Sequence, residues 1–220
     1  MIKVEHIEVF NFEGAIRGLR NPMNSWDKSD SIKCYMNRDC PCICENNKCG
    51  LCIGQNDLAL MQKLYKAGTE HRKYLRQIFI SMDIIAPLYW WKEFDTYKVG
   101  TVANSCSTMH KIAEKEFELD DFSHEHLIDI SKAVLVEVCR VLNTWRELYI
   151  NSHSKEDWWQ MIQLLPSSYN QKRTVTMNYE NVVTIIKQRT GHKLDEWRGF
   201  VEMLLKLPYV SDIMEVNLYE

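Results

Sequence analysis

The chain has 220 residues, of which 45% are apolar and 11% aromatic, with 8 glycines and 5 prolines. This is the composition of a packed globular protein, and it excludes disordered, collagen-like and simple linker classes. The 27 Lys and Arg residues nearly balance the 30 Asp and Glu residues, for a net charge of -3. A nucleic-acid scaffold is normally strongly basic, so nucleic acid is disfavoured as a partner.

The length favours one domain over residues 1–220, with a cysteine-rich insert at about 32–54. No apolar run approaches the roughly 18–20 residues that a membrane span needs. Residues 1–10 mix charged and apolar residues, unlike the apolar core of a signal peptide. We therefore expect a cytoplasmic protein without a membrane partner.

The N-terminal half predicts strands and short helices. β-Branched and aromatic runs favour strands, and apolar residues three and four positions apart favour helices. Residues 95–108 are rich in Thr, Ser, Asn and Gly, which favours loop and turn. In chain order we expect a strand at 2–10, a short helix at 15–20, a loop at 21–31, helices at 57–67 and 69–76, a strand at 79–85 and a helix at 89–94.

The C-terminal half predicts mostly helices. The longest pattern, at 123–149, has so many apolar positions that it indicates burial on more than one face, as between subunits. Its repeating positions are Leu127, Ile130, Val134, Val138, Leu142 and Trp145. After it we expect a helix capped by Ser154, a strand at 173–177, a helix at 179–189 capped by Asn178 and a helix at 195–207. Helices with few, short strands indicate an α+β fold.

The common fingerprints of nucleotide and hydrolase sites are missing from the sequence. The glycines form neither G-x-G-x-x-G nor a P-loop, and there is no H-E-x-x-H or G-x-S-x-G. His124 and His126 are two residues apart, a spacing that does not put two ligands on one helical face, so a solvated helix start is favoured.

Six of the eight cysteines lie within nineteen residues, from Cys34 to Cys52. In a chain with ample core, such a cluster indicates metal or redox chemistry more than a disulfide scaffold. Cys49 and Cys52 form a C-x-x-C half-site. Two of Cys40, Cys42 and Cys44, with Cys40 and Cys44 preferred, are candidates for the other two ligands of Zn²⁺ or an iron–sulfur cluster. A cysteine-rich loop without metal and a locally disulfide-bonded insert remain open alternatives.

Three stretches together resemble the flavin-dependent thymidylate synthase family. The N-terminal stretch is a strand, then Ala15-Ile16-Arg17, then Ser25-Trp26-Asp27-Lys28. The second aligns Thr96-Tyr97-Lys98 with the family's Arg-His-Arg and Cys106 with the Ser that follows it. The third contains Leu165-Pro166, then Asn178, then the run from His192 to Arg198, which is similar to His-Ala-Gln-x-Glu-Ile-Arg. Glu180 stands where the family usually has Arg.

The resemblance implies a small mixed or antiparallel sheet with long packed helices, in a homotetramer that binds FAD between subunits. It implies reductive methylation of dUMP to dTMP, with methylenetetrahydrofolate as carbon donor and NADPH as reductant. The residues that it implies for cofactor binding are Thr96, Tyr97, Lys98, Asn178 and His192. For substrate binding it implies Arg198, Ser105 and Arg173, and Cys106 as a catalytic residue whose thiolate adds to uracil C6.

Each of these assignments has an alternative. Arg198 is close enough to Asp195 for a surface ion pair, and Arg173 is equally well explained as a charge on an edge strand. Cys106 is alternatively a small buried residue in a tight loop. Trp90 and Trp91 are expected in the core or an interface rather than against a flavin. For the whole chain, the alternatives are an inactive relative that binds nucleotide or nucleic acid, and an enzyme acting on another pyrimidine nucleotide.

Overall fold

The computed structural model describes residues 2–33 and 51–216. Its strands are β1 (Lys3–Phe10), β2 (Ile32–Lys33), β3 (Leu51–Cys52), β4 (Phe79–Pro87), β5 (Thr101–Ser105) and β6 (Asn170–Asn178). Its α-helices are α1 (Phe12–Arg20), α2 (Gln55–Lys66), α3 (Leu88–Phe94), α4 (Thr108–Lys111), α5 (Asp129–Ser152), α6 (Lys155–Leu164), α7 (Tyr179–Arg189), α8 (Asp195–Leu205) and α9 (Val210–Met214). The expected α+β composition is therefore observed.

Four strands form the main sheet, in the order β1-β4-β6-β5. Two side-chain hydrogen bonds show how β6 runs relative to β4. Thr174 donates to Asp83, and Thr176 donates to Ser81. The partners step in opposite directions along the two strands, as in an antiparallel pair. β2 and β3 form a separate antiparallel pair, with Ile32 opposite Cys52.

The chain divides into two compact units. The first consists of residues 1–4, 83–96 and 103–174, and the second of residues 5–82, 97–102 and 175–220.

The first unit has a core between α5 and α6. On α5 the buried residues are Leu135, Cys139 and Leu142, which pack with Met161 of α6. Of the predicted positions, Leu142 is buried here, and Val138 and Trp145 pack against the same core. Ile130 and Val134 are 77% and 61% exposed within this chain, so their burial between subunits stays a prediction.

The second unit is built around aromatic side chains. Phe12 of α1 contacts Tyr179 edge-on, with ring centroids 5.6 Å apart, and makes a similar contact with Tyr209. Asn178 caps α7, as predicted, by accepting a hydrogen bond from the Asn181 backbone N–H at 3.1 Å. This cap determines where β6 ends and α7 begins.

Three predicted segments differ from the structure. The helix expected at 69–76 is instead a short 3-10 helix at Lys73–Gln77. Residues 95–108, expected to be loop and turn, contain β5, because the Thr- and Val-containing run from Thr101 joins the edge of the sheet next to β6. The last helix was expected to reach residue 207, but α8 ends at Leu205 and the separate helix α9 follows Pro208. Proline has no backbone N–H to continue a helix, which explains the break.

A buried carboxylate joins α1, α2 and the loop before β2. Asp57 is fully buried, and its Oδ1 accepts a hydrogen bond from Arg20 Nε at 2.8 Å. Its Oδ2 accepts from the hydroxyls of Ser29 and Ser31, at 2.7 and 2.6 Å. Burial opposes ionisation, but these hydrogen bonds and the charge of Arg20 outweigh it and lower the pKa of Asp57 below its usual 3.8.

Replacing Asp57 by Asn is expected to lower the free energy of unfolding at pH 7 by about 3–5 kcal/mol, because it leaves the buried Arg20 without its charge partner. In the wild type the contribution of the carboxylate is complete above the unfolded-state pKa of 3.8 and is lost as the pH falls through the lower folded-state value. Urea unfolding from pH 7 down to pH 3 measures both effects.

The matched control is Asp27→Asn, since Asp27 is an exposed acid in the same polar stretch of chain. This substitution should change the unfolding free energy by less than about 0.5 kcal/mol. Equal stability of the two variants would contradict the assigned role of Asp57.

Candidate active site

The first unit contains a cavity of about 230 Å³ at the end of β5. Its wall is formed by residues 106–108, Lys111 and Ile112 on one side and by residues 169–172 on the other, with Ile85 of β4. The lining has two ammonium groups, a thiol, hydroxyls and side-chain amides, and it has no carboxylate. Such a mixture suits a small, polar, anionic ligand.

Cys106 lines this cavity, and both its backbone N–H and its backbone carbonyl form hydrogen bonds. Its N–H donates to the Lys172 carbonyl at 2.9 Å, and its own carbonyl accepts from Gln171 Nε2 at 2.8 Å. The thiol is exposed, so the alternative of a small buried residue was wrong. Ser105, the preceding residue and a predicted substrate contact, is also exposed on β5.

Two neighbouring groups interact electrostatically with Cys106. The hydrogen bond to Glu114 and the charge of Glu114 raise the pKa of Lys111, and the charge of Cys106 contributes to the same shift. Burial raises the pKa of Tyr169, and the charges of Asp121 and Cys106 add to that effect. Lys111 is therefore a cation and Tyr169 a neutral phenol when they face the thiol at neutral pH.

The three residues aligned with Arg-His-Arg have different surroundings. Thr96 donates its hydroxyl hydrogen bond to the Glu93 carbonyl at 2.7 Å. Tyr97 is buried; its hydroxyl donates to Gln188 at 2.9 Å and accepts from Arg189 at 2.8 Å. The Lys98 side chain is exposed and makes no hydrogen bond or ion pair with any residue in the described parts of the chain. Of the three, Lys98 is the side chain available to a ligand.

Asn181 holds the backbone on both sides of Lys98. Its Nδ2 lies 3.3 Å from the Tyr97 carbonyl, 2.8 Å from the Val99 carbonyl and 3.0 Å from Thr101 Oγ1. Gly100 has φ +76°, and a Cβ atom there would lie 2.6 Å from Asn178 Nδ2. A side chain at position 100 would therefore clash as well as strain the backbone.

His192 lies in the turn between α7 and α8, and Arg198 lies in the first turn of α8. The two ring nitrogens of His192 are each 3.2 Å from a donor, Arg189 Nη1 on one side and the Leu194 backbone N–H on the other. Arg198 pairs with Asp195 and donates to the His192 carbonyl at 3.1 Å. The alternative of an Arg198–Asp195 surface ion pair is thus present, with the Arg198 side chain half exposed.

Arg173 is surrounded by internal partners. Its Nη1 lies 2.8 Å from Asp95, its Nε donates to Gln171 at 2.9 Å, and its Cζ stacks 4.2 Å from the Trp91 ring centroid. The interpretation as an edge-strand charge was wrong, because β6 lies between β4 and β5. Trp90 and Trp91 are buried in the core, as one alternative predicted.

Glu180, where the resembled family usually has Arg, forms a close ion pair. Arg72 Nη2 lies 2.7 Å from Glu180 Oε1, and Arg72 Nε is 3.1 Å from both carboxylate oxygens. The side chains are 9% and 16% exposed. The acidic residue therefore has a matched cation from the segment before β4.

The predicted metal ligands Cys40, Cys44 and Cys49 lie outside the described residues. Cys52 is buried in β3. Within residues 2–33 and 51–216, no group of three or more His, Cys, Asp or Glu side chains is arranged to hold a metal ion. The metal site stays a prediction. None of the described helices is long and apolar enough to cross a membrane.

Sequence reasoning missed three residues of this region: Lys111, Lys172 and Asn181. Lys111 and Lys172 are isolated lysines in the sequence, and the pairing of the start of β6 with the end of β5 brings them to one cavity. The sequence did contain a signal for Asn181, because it is a second asparagine that lies one helical turn after the capping residue Asn178. That spacing indicates a capping region, but its reach to residues 97–101 required the tertiary structure.

Comparison with known proteins identifies the fold. No family model and no curated protein matches the sequence. Two structures of thymidylate synthase X from Helicobacter pylori, both with FAD and dUMP, match with a TM-score of 0.64. One is 16% identical and covers 98% of this chain and 95% of its own; the other is 17% identical and covers 96% and 95%. The expectation is confirmed: this chain has the fold of the flavin-dependent thymidylate synthases.

Proposed function

We propose that this protein is a flavin-dependent thymidylate synthase-like enzyme, acting as one domain over its whole length. The reaction would be reductive methylation of dUMP to dTMP, with methylenetetrahydrofolate and NADPH as co-substrates. The observation that carries the proposal is the fold shared over 98% of the chain with a protein solved with FAD and dUMP. When bound, FAD supplies the hydride chemistry, and the protein supplies binding and orientation.

Lys98 is the residue proposed to contact the flavin phosphates. Its ammonium is exposed, and the backbone on either side is held by Asn181, so the charge is presented from a fixed segment. A lysine binds phosphate as a point charge, without the two-pronged geometry of arginine. The other cofactor candidates, Thr96, Tyr97, Asn178 and His192, bond within the protein. We propose that they act indirectly, by stabilising the segment around Lys98 and the turn between α7 and α8 that would contact the cofactor.

Arg198 is the residue proposed to bind the dUMP phosphate. Its guanidinium is half exposed at the start of α8. The planar fork of arginine binds two phosphate oxygens at once. The Asp195 carboxylate is paired with the Arg198 guanidinium, so the phosphate would have to displace this carboxylate. Ser105, exposed on β5, is proposed as a further substrate contact, whereas Arg173 is engaged by Asp95 and would act by holding Gln171.

The first prediction from this proposal concerns FAD. The purified protein should be yellow, with a flavin spectrum that NADPH bleaches. Lys98→Ala should weaken FAD binding by about 1.5–3 kcal/mol, because it removes a hydrogen bond to a charged group. Titration of FAD fluorescence against apoprotein measures the loss, and Lys92→Ala, an exposed lysine on α3, should bind FAD like the wild type.

A colourless protein that takes up no added FAD would contradict the proposal of a flavoenzyme. It would favour the alternative of an inactive relative that binds nucleotide, which the internal bonding of Thr96 and Tyr97 also favours.

The second prediction concerns dUMP. Arg198→Ala should weaken dUMP binding by about 1–3 kcal/mol. Asp195→Asn should leave binding equal or tighter, because the competing negative charge is gone while the arginine remains. Calorimetric titration of the FAD-loaded protein measures both, and Arg140→Ala on the exposed side of α5 is the control. Unchanged affinity in Arg198→Ala would show that another residue binds the phosphate.

A homotetramer is proposed on the basis of an apolar stripe along α5. Ile130 and Val134 of α5 are 77% and 61% exposed, and Leu127, which precedes the helix at the same three- and four-residue spacing, is 40% exposed. Aligned apolar side chains on a helix of 24 residues are typical of helix–helix association. This face is separate from the stripe of Leu135, Cys139 and Leu142 that packs on α6.

The double substitution Ile130→Lys and Val134→Lys is expected to reduce the assembly to smaller species, because it places two charges in an apolar contact. Molar mass from light scattering after gel filtration measures the change. Lys132→Glu is the control, since position 132 points to the opposite side of the same helix from position 130. A wild type that is monomeric at all concentrations would contradict the tetramer.

A further inference from the structure

Positive charge is concentrated on the second unit, around the segment that joins α2 to β4. Residues 63–76 contain five Lys and Arg residues and one acid, Glu70, in a chain whose net charge is -3. The near-neutral total therefore comes from an uneven distribution of charge. Where the cations lie on the surface, rather than the net charge of the chain, determines whether a polyanion binds.

Lys73 and Arg76 carry their charges on the same side of this segment. Both belong to the 3-10 helix Lys73–Gln77, and side chains three residues apart are eclipsed in such a helix. Both residues are exposed. Arg76 donates to the Thr69 carbonyl at 3.4 Å, and neither cation forms an ion pair with a residue in the described ranges. Their charges are therefore available to an anionic ligand.

Lys187 of α7 adds a third cation beside this segment. Its Nζ lies 4.6 Å from the ring centroid of Tyr65, and the Cζ of Arg72 lies 5.5 Å from the same centroid. Arg72 is buried and paired with Glu180, so the charge of this acid is already compensated. Lys187 is exposed and makes no ion pair within residues 2–33 and 51–216. The contact with Tyr65 thus brings an unpaired ammonium next to the segment that carries Lys73.

A partly open aromatic stack lies at the end of the 3-10 helix. The rings of Phe10 and Phe79 are stacked, with centroids 5.7 Å apart and planes 20° from parallel. The Asn11 side chain donates to the Gln77 carbonyl at 2.7 Å, which ties the residue after Phe10 to the last residue of the helix. Phe10 is 45% exposed. Part of its ring is therefore open to a further stacking partner.

We propose that this basic surface binds single-stranded nucleic acid, with phosphates at Lys73, Arg76 and Lys187 and a base on the ring of Phe10. Cations that follow the backbone and aromatic rings that stack on bases are the two elements of single-strand recognition. In a duplex the bases are stacked on their neighbours, and a protein ring reaches a base face only by unstacking it. An acidic peptide would satisfy the cations but would not use the ring.

This inference is independent of the proposed function, because none of these four residues is assigned to FAD or dUMP. It also differs from the expectation drawn from composition. A net charge near zero disfavours a strongly basic nucleic-acid scaffold, but it does not exclude a local surface on which three cations lack acidic partners.

The test is the binding of a fluorescein-labelled oligothymidylate of about 15 nucleotides, close to the upper site size of single-strand binding folds. Fluorescence anisotropy at several salt concentrations gives the affinity. Three phosphate contacts should give a slope of about −2 for the logarithm of affinity against that of salt, since each single-strand contact contributes about −0.7.

The triple variant Lys73→Ala, Arg76→Ala and Lys187→Ala should bring this slope close to zero and weaken binding at low salt by about tenfold or more. The matched control removes three exposed lysines of the first unit, Lys92, Lys132 and Lys155, and should keep the slope of the wild type. Thermal unfolding followed by circular dichroism checks that both variants are folded.

The role of the ring is tested separately. Phe10→Leu keeps an apolar side chain but removes the aromatic face, and it should weaken binding of the oligonucleotide by about tenfold. Phe10→Trp should bind at least as tightly as the wild type. The same oligonucleotide annealed to its complement should bind more weakly than the single strand, and Phe10→Leu should not affect that binding. Excess dUMP should not displace the oligonucleotide, because different residues are proposed to bind dUMP.

Several outcomes would overturn the inference. A wild type that does not bind at low salt, an unchanged salt slope in the triple variant, or displacement by dUMP would show that this surface is not the binding site. Equal affinity for single strand and duplex, or wild-type affinity in Phe10→Leu, would overturn the stacking of a base on Phe10. Displacement by polyglutamate at an equal concentration of charge would assign the surface to acidic peptides instead. None of these results affects the proposed function, which the FAD and dUMP titrations test.

Discussion

The side-chain amides of Asn178 and Asn181 fix the segment on which the candidate site depends. Asn178 ends β6 and starts α7, and Asn181 reaches back to the backbone around Lys98. Gly100 allows this close approach because it has no Cβ atom and a positive φ. The segment so held leads directly into β5, which ends at Ser105 beside Cys106. Polar side chains at the start of one helix thus determine the position of residues 80 to 84 positions earlier.

Close ion pairs engage three of the arginines in the described parts of the chain. Arg20 is paired with Asp57, Arg72 with Glu180 and Arg173 with Asp95, each at 2.7–2.8 Å. The Arg20–Asp57 and Arg72–Glu180 pairs are largely buried, and buried charges persist in a fold when they are paired and hydrogen-bonded. These contacts connect elements of the fold. Among the candidate site residues, the side chains of Lys98, Ser105 and Cys106 are exposed and that of Arg198 is half exposed. A small anionic ligand needs a few placed cations, which agrees with a nearly neutral chain.

Local patterns predicted much of the secondary structure. The helix from Tyr179 to Arg189 with Asn178 as its cap was predicted with its exact bounds, because an amide cap followed by a regular apolar spacing is a purely local signal. β5 was missed, because Thr101–Ser105 is an exposed edge strand stabilised by pairing with β6 rather than by its own apolar residues. Among the apolar positions predicted for α5, Leu142 is buried against α6, whereas Ile130 and Val134 are exposed within this chain. Spacing identifies an apolar face but not the neighbour that covers it.

The sequence by itself determined the α+β class, the main helices and the resemblance to flavin-dependent thymidylate synthases that the shared fold bears out. Those features depend on local spacing and on the order of motifs along the chain. Only the tertiary structure decided which residues of those motifs are accessible. Tyr97 turns inward to Arg189, Arg173 stacks on Trp91, and Cys106 faces a cavity with two lysines. The physical reason is that exposure and charge pairing depend on partners distant in sequence, brought together by strand pairing that local patterns do not encode.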